Sequence, residues 1–324
     1  MHALVDPAIL FFVFGIFAGL VRSNLEIPPA ISRFLSLYLL MALGLKGGFA
    51  LAKSGLTPQV AVSLSLAVFL ALLVPVLSYL CLRRILSGFD AAALAATYGS
   101  VSAVTFITAM NYLETQGLGY GGHMAAAMAL MESPAIIFAV LMANRLRALS
   151  GAPQAPVGPR LSMGKVLHES FTDGAQLLLL GAMLIGMVSG ESGQRAMQPF
   201  SGDLFKGMLA FFLLDMGLMA ARNLPGLRGQ SPWLIAYGLL APLVHASIVL
   251  GLCWLLGVPQ ADATLLMVLA ASASYIAVPA VLRYALPEAN PSLYVGLSLG
   301  LTFPFNILLG IPLYARWSAG LLAA

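Results

Sequence analysis

Gly99-Ser-Val-Ser-Ala103 interrupts one long apolar run of this chain, and Ala271-Ser-Ala-Ser-Tyr275 interrupts another. Glycine costs a helix about 1 kcal/mol, and serine hydroxyls can satisfy freed backbone groups. A clustered Gly/Ser centre is therefore where a membrane helix can unwind at depth. Unwinding makes the second half of each helix begin mid-run, with unpaired N–H groups and the positive end of its dipole at the gap. Two such ends converging from opposite sides form an anion cradle, and the carbonyl ends of the first halves suit a small cation beside it. The first-choice ligands for the anion are Gly99, Ser100, Ser102, Thr105, Ser272, Ser274 and Tyr275. The competing reading is packing, since small residues let membrane helices approach closely. Recurrence of the motif in both halves favours the broken helix, because packing alone needs no such symmetry.

The symmetry extends outward from these motifs. An offset of 170 lays Ser102-Ala103 over Ser272-Ala273, and Glu132-Ser-Pro134 over Thr302-Phe-Pro304. The Gly-Leu pairs of Met41-Ala-Leu-Gly-Leu-Lys-Gly-Gly48 and Leu214-Asp-Met-Gly-Leu-Met-Ala-Ala221 also align. Between the halves lies Ser150-Gly-Ala-Pro-Gln-Ala-Pro-Val-Gly-Pro159, the one connection with linker composition. Apolar runs predict ten helices, near 6–22, 29–53, 57–82, 89–115, 120–147, 168–190, 197–223, 231–256, 261–286 and 290–317. The expected architecture is an all-α polytopic membrane protein. A first repeat at 1–147 and a second at 168–324 flank a cytoplasmic linker at 148–167, and the fourth and ninth helices are broken. With five helices each, the repeats are inverted, which is a transporter signature.

Composition agrees with this reading. Hydrophobic residues make up 60% of the chain and charged residues 9%, against about 25% charge in soluble domains. The formal charge of +4 does not point to nucleic acid, because the basic residues lie singly between apolar runs. They read as topology signals. Arg22, Arg33, Arg83, Arg84, Arg145, Arg147, Arg160, Lys165, Arg222, Arg228 and Arg283 gather on one face, and Lys53, Arg195, Lys206 and Arg316 on the other. Both termini are then expected outside the plasma membrane. Cys81 and Cys253 lack metal or redox spacing and read as packing residues.

An ionisable residue inside a membrane helix costs at least ~2.5 kcal/mol at the centre, so each needs a partner or a function. Glu132, with Thr302 and Asn306 on the last helix, is the candidate for cation binding or proton coupling. Lys46 and Asp215 occupy nearly equivalent places in the second and seventh helices and are expected to pair across the pseudo-twofold axis. A substrate or proton role for Lys46 is the alternative. His245 is expected to hydrogen-bond a neighbouring helix or to relay protons, whereas His2, His123 and His168 fall near helix ends.

Five motifs carry a resemblance along nearly the whole chain: Gly44-Leu-Lys-Gly-Gly-Phe-Ala50, Gly99-Ser-Val-Ser102, Ala241-Pro-Leu-Val-His245, Ala270-Ala-Ser-Ala-Ser274 and Ala289-Asn-Pro-Ser-Leu-Tyr-Val-Gly296. In this order they resemble the cyanobacterial sodium-dependent bicarbonate transporter family, with this chain as a divergent member. The resemblance implies homotrimers, a gate domain of the first, second, sixth and seventh helices, and a core domain of the rest holding bicarbonate with sodium. It also implies elevator-like or rocking motion and, in some members, inhibition by a PII-like regulatory protein. A sodium site at Ser102, Glu132 and Ser274 is expected on this basis. The chain departs from the family at Tyr275 and Met219, where acidic residues are usual, and at Lys46, where a neutral hydroxyl residue is usual. Its linker is also short for PII-type regulation.

The reading that follows is secondary active symport of a small anion, bicarbonate first, with no cofactor beyond a coupling ion. Its rival is transport of another small anion, proton-coupled or sodium-independent, on the same scaffold. An intramembrane hydrolase using Ser100 or Ser102 lacks a base at a recognisable spacing.

Overall fold

The computed structural model describes residues 6–55, 57–149 and 173–322. Most of the linker expected at 148–167, with Arg160 and Lys165, lies outside these residues, as do His2 and His168. The described chain is helical: α1 (Pro7–Leu20), α2 (Pro29–Ser54), α3 (Pro58–Leu82), α4 (Gly88–Gly99), α5 (Ala103–Thr115), α6 (Met124–Leu149), α7 (Gly174–Met197), α8 (Phe205–Asn223), α9 (Pro232–Leu256), α10 (Gln260–Ala271) and α11 (Ala277–Ala285). A last helix, α12 (Pro291–Leu322), contains π-helical turns at Ser298–Thr302 and Asn306–Gly310.

Local chemistry sets many of the starts. Asp6, Thr57, Ser87, Asp173 and Asn290 each accept a hydrogen bond from a first-turn N–H, and Pro7, Pro58, Pro232 and Pro291 occupy first-turn positions where no N–H is needed. One boundary differs from expectation. The sixth helix was expected to stop at 190, but α7 bends there and runs on to Met197. Gly190 adopts φ 55°, a left-handed conformation open to glycine, so the chain turns without ending the helix.

Among the described residues, seven helical runs are long and apolar enough to cross a membrane, and α1 and α10 are shorter apolar helices. One of the seven, Gly174–Leu227, joins α7 and α8 through a π-helical turn at Gln198–Asp203. Counting ten crossings therefore requires dividing that run and adding α1 and the α10–α11 pair.

Packing is duplicated between the halves. α1 lies along α8 and α2 along α7; α3 packs on α4 and α6, just as α9 packs on α10 and α12. The first two contacts are glycine seams. Gly15 meets the backbone of α8 at Leu214 and Gly217, while Gly44 and Gly48 meet α7 at Leu179, Met183 and Gly186. Where two backbones touch, a Cβ has no room, and such close approach is how apolar helices associate when lipid is as apolar as their side chains. The α4–α5 segment is almost wholly buried, whereas α9 turns much of its surface outward.

Candidate functional site

α4 ends at Gly99 and α5 begins at Ala103; α10 ends at Ala271 and α11 begins at Ala277. Between them the backbone is extended at Ser100 (φ −95°, ψ 179°) and at Ser272 (φ −82°, ψ 167°). The two breaks are bonded to each other. Ser102 N–H donates to Ser272 Oγ at 2.9 Å, between residues 170 apart, and Ser274 N–H donates to the Thr97 carbonyl at 2.8 Å. Gly99 lets the end of α4 lie close against α3, since a Cβ there would stand 2.5 Å from the Pro75 ring.

The second halves start differently. Ser102 caps α5: its Oγ accepts from Thr105 N–H (3.2 Å) and from Thr105 Oγ1 (2.9 Å). The N–H groups of Ala103 and Val104 precede the first intrahelical bond, donated by Phe106 to Ser102 O, and so have no partner in the helix ladder. On α11 the equivalent donor is Val278 N–H, bonded to Ser274 Oγ at 3.3 Å, and Pro279 has no N–H. Ser100 Oγ is buried without a hydrogen-bond partner, a cost of about 1–3 kcal/mol that a bound acceptor or donor would remove. The donors and this orphan hydroxyl fit a small anion.

The carbonyl ends are largely occupied. Ser272 Oγ donates to Leu269 O (2.8 Å) and Asn306 Nδ2 to Ala271 O (2.8 Å). His245 Nδ1 lies 3.2 Å from Ala270 O, a contact that places the ring proton on Nδ1 and makes His245 the expected interhelical donor. Asn306 is held by Tyr314 OH at 2.9 Å. Thr302 Oγ1 donates to Gly238 O, the carbonyl that Pro242 leaves free one turn back, and pairs with Tyr98 OH at 2.6 Å. Tyr275 fills the α10–α11 break: its ring packs on Phe303 (centroids 5.0 Å apart) and its hydroxyl reaches Met216 Sδ of α8 at 3.5 Å.

Other expected residues lie elsewhere. Glu132 is bonded to Gln176 of α7 (3.1 Å), and no hydrogen bond joins it to Ser102 or Ser274. The expected Lys46–Asp215 pair does not form. Lys46 Nζ sits 4.0 Å over the ring of Phe205, at the start of α8, and bonds Glu114 of α5 at 3.2 Å. Asp215 is ten residues further along α8, about 15 Å at 1.5 Å per residue, where it is buried with Oδ2 unpartnered. Among the described residues, Ser102 bonds Ser272 and Thr105 and no histidine or carboxylate.

Two polar groups escaped the sequence reading. Glu114 also accepts from Tyr120 OH at 2.6 Å. Burial and that carboxylate push the Tyr120 phenol well above its ordinary pKa, which keeps it a donor. Asp262 accepts from Gly121 N–H (2.6 Å) and lies 3.5 Å from His123, whose imidazole burial holds below its usual pKa. The available signal was Glu114 and Tyr120 flanking a Gly-rich turn. A cavity of about 520 Å³ opens beside them between α2, α5 and α7.

A bundle of apolar helices enclosing a polar junction of two broken helices defines a multi-pass membrane protein. The model of the Na+-dependent bicarbonate transporter superfamily matches residues 7–319, and the chain belongs to that superfamily. Membership places it among transporters rather than enzymes, with sodium as the suggested coupling ion. Among curated proteins none matches the chain.

Proposed function

We propose that the protein imports a small anion, most directly bicarbonate, held between the first turns of α5 and α11 with a sodium ion crossing beside it. The observation that carries this reading is the reciprocal bonding of the breaks, Ser102 N–H to Ser272 Oγ and Ser274 N–H to Thr97 O. These bonds tie one break to the other, and two positive helix ends beside one point are what an anion requires. Duplicated helix packing supports ten crossings arranged as inverted repeats, with α1, α2, α7 and α8 as gate and the remaining helices as core. The count of basic residues supports termini outside and a cytoplasmic linker. Homotrimers and a plasma-membrane location complete the proposal by family resemblance.

Bringing one negative charge inward against a potential of about 100 mV costs about 2.3 kcal/mol, which one co-transported monovalent cation cancels. A second reading, anion transport without sodium, is favoured by the α10 carbonyls that His245 and Asn306 already occupy and by Tyr275 in the break. Uptake of radiolabelled bicarbonate into proteoliposomes, under sodium, proton or no imposed gradient, separates the two. Uptake stimulated by sodium supports symport, equal uptake under every gradient rejects coupling, and no uptake of any anion rejects the transport reading.

A further inference from the structure

We infer that the cavity between α2, α5 and α7 is an anion vestibule in which Lys46 is a staging site and Glu114 its exchangeable counter-ion. This deepens the anion-transport reading and rests on it. The cavity of about 520 Å³ reaches from Lys53 and Asp203 inward to Leu43 and Met110. Met110 is five residues beyond Thr105 on α5, about 7 Å along the helix, so the cavity floor approaches the break. Glu114 lies nine residues beyond Thr105, about 13 Å, so an anion at Lys46 stands short of the cradle and outside it.

The groups there suit exchange. The Lys46 ammonium keeps its seat over Phe205 whichever anion it faces. Its contacts with Glu114, 3.2 and 3.5 Å, are long for charge-assisted bonds. Both side chains reach the cavity, at 24% and 33% exposure, so a solute can compete for the ammonium. When Lys46 turns to another anion, Glu114 remains held by Tyr120. Lys53 lines the same cavity and forms no ion pair among the described residues, leaving a second cation at the mouth. The pair also joins α2, of the proposed gate, to α5, of the proposed core, so exchange at Lys46 would release one tie between them.

The test is the rate at which an amine-acylating reagent modifies Lys46 in the purified full chain, read by peptide mass spectrometry. Sodium bicarbonate is added at fixed pH and ionic strength against sodium chloride, with exposed Lys206 as internal reference. Bicarbonate should slow acylation of Lys46 and leave Lys206 unchanged. In Glu114→Gln, half-protection should need about fivefold less bicarbonate, the scale of an exposed ion pair removed as competitor. Ser102→Ala should keep the protection. Lys46 acylation indifferent to bicarbonate in both wild type and Glu114→Gln would overturn the vestibule, as would protection lost in Ser102→Ala, since Lys46 would then report only an anion at the break. Protection without bicarbonate uptake would instead count against the transport reading and leave the vestibule standing.

Discussion

The two breaks occupy matched positions yet close in different ways. At the α4–α5 break a serine caps the new helix, Thr105 locks the cap, and the gap keeps a buried hydroxyl without a partner. The α10–α11 break is longer, its new helix follows Ile276, which has no capping side chain, with only a 3.3 Å bond from Val278 N–H to Ser274 Oγ, and the gap is filled by Tyr275, the residue that the offset of 170 places opposite Thr105. Its terminal carbonyls are spent on His245, Asn306 and Ser272. The difference separates two capacities that a symmetric fold would share. Donors for an anion persist at α5, whereas acceptors for a cation at the end of α10 are already engaged.

Substitution of Tyr275 should break the comparison most severely. Tyr275→Ala removes a buried ring against Phe303 and should cost about 3–5 kcal/mol in thermal unfolding, while Thr105→Ala should cost only about 1 kcal/mol. Equal losses would mean that the two breaks are supported alike. Next comes Ser272→Ala, which strands the buried Ser102 N–H. A loss of about 1–3 kcal/mol is expected, with anion uptake falling in proportion. Uptake at the wild-type level, together with wild-type stability, would detach the crossing bond from function.

Asn306→Ala frees the Ala271 carbonyl for about 1 kcal/mol of stability. If engaged carbonyls are what weakens the cation side, uptake in this variant should depend more steeply on sodium. An unchanged sodium dependence would show that the α10 terminus takes no part in coupling. The smallest effect belongs to Tyr275→Phe, which keeps the ring and loses a bond to a weak sulfur acceptor and an interaction with the Ser102 side chain. A loss of about 0.5 kcal/mol is expected, and a much larger one would assign the hydroxyl a role beyond Met216 and Ser102.

Much of the fold could be read from residues alone. Ser102 and Ser272, matched by the offset of 170, are bonded to each other, and they were legible because the Gly/Ser motif recurs in both halves, which close packing alone does not require. Most helix positions were legible from the apolar runs and the turn residues between them. The partner of Lys46 was not. Equivalence in two repeats says where backbones correspond, but contact is set by glycine seams that run α2 along α7 and α1 along α8, and this register leaves Lys46 beside Phe205 and Glu114 rather than Asp215. The donors to the α10 carbonyls were equally hidden. Asn306 and His245 stand far along the chain from Ala270 and Ala271, and only the turn of α12 through its π-helical segments and the packing of α9 bring them close. The sixth helix runs past its expected end at 190 because Gly190, at φ 55°, bends the helix without ending it.

The cradle itself is tested most directly by a cryo-EM map of the full chain in saturating sodium bicarbonate, compared with one in sodium chloride. The account predicts added density within hydrogen-bond distance of the Ala103 and Val104 N–H groups and Ser100 Oγ, facing the start of α11, and absent in Ser102→Ala. Unchanged density between Gly99–Thr105 and Ala271–Tyr275, in a protein that still transports bicarbonate, would contradict it.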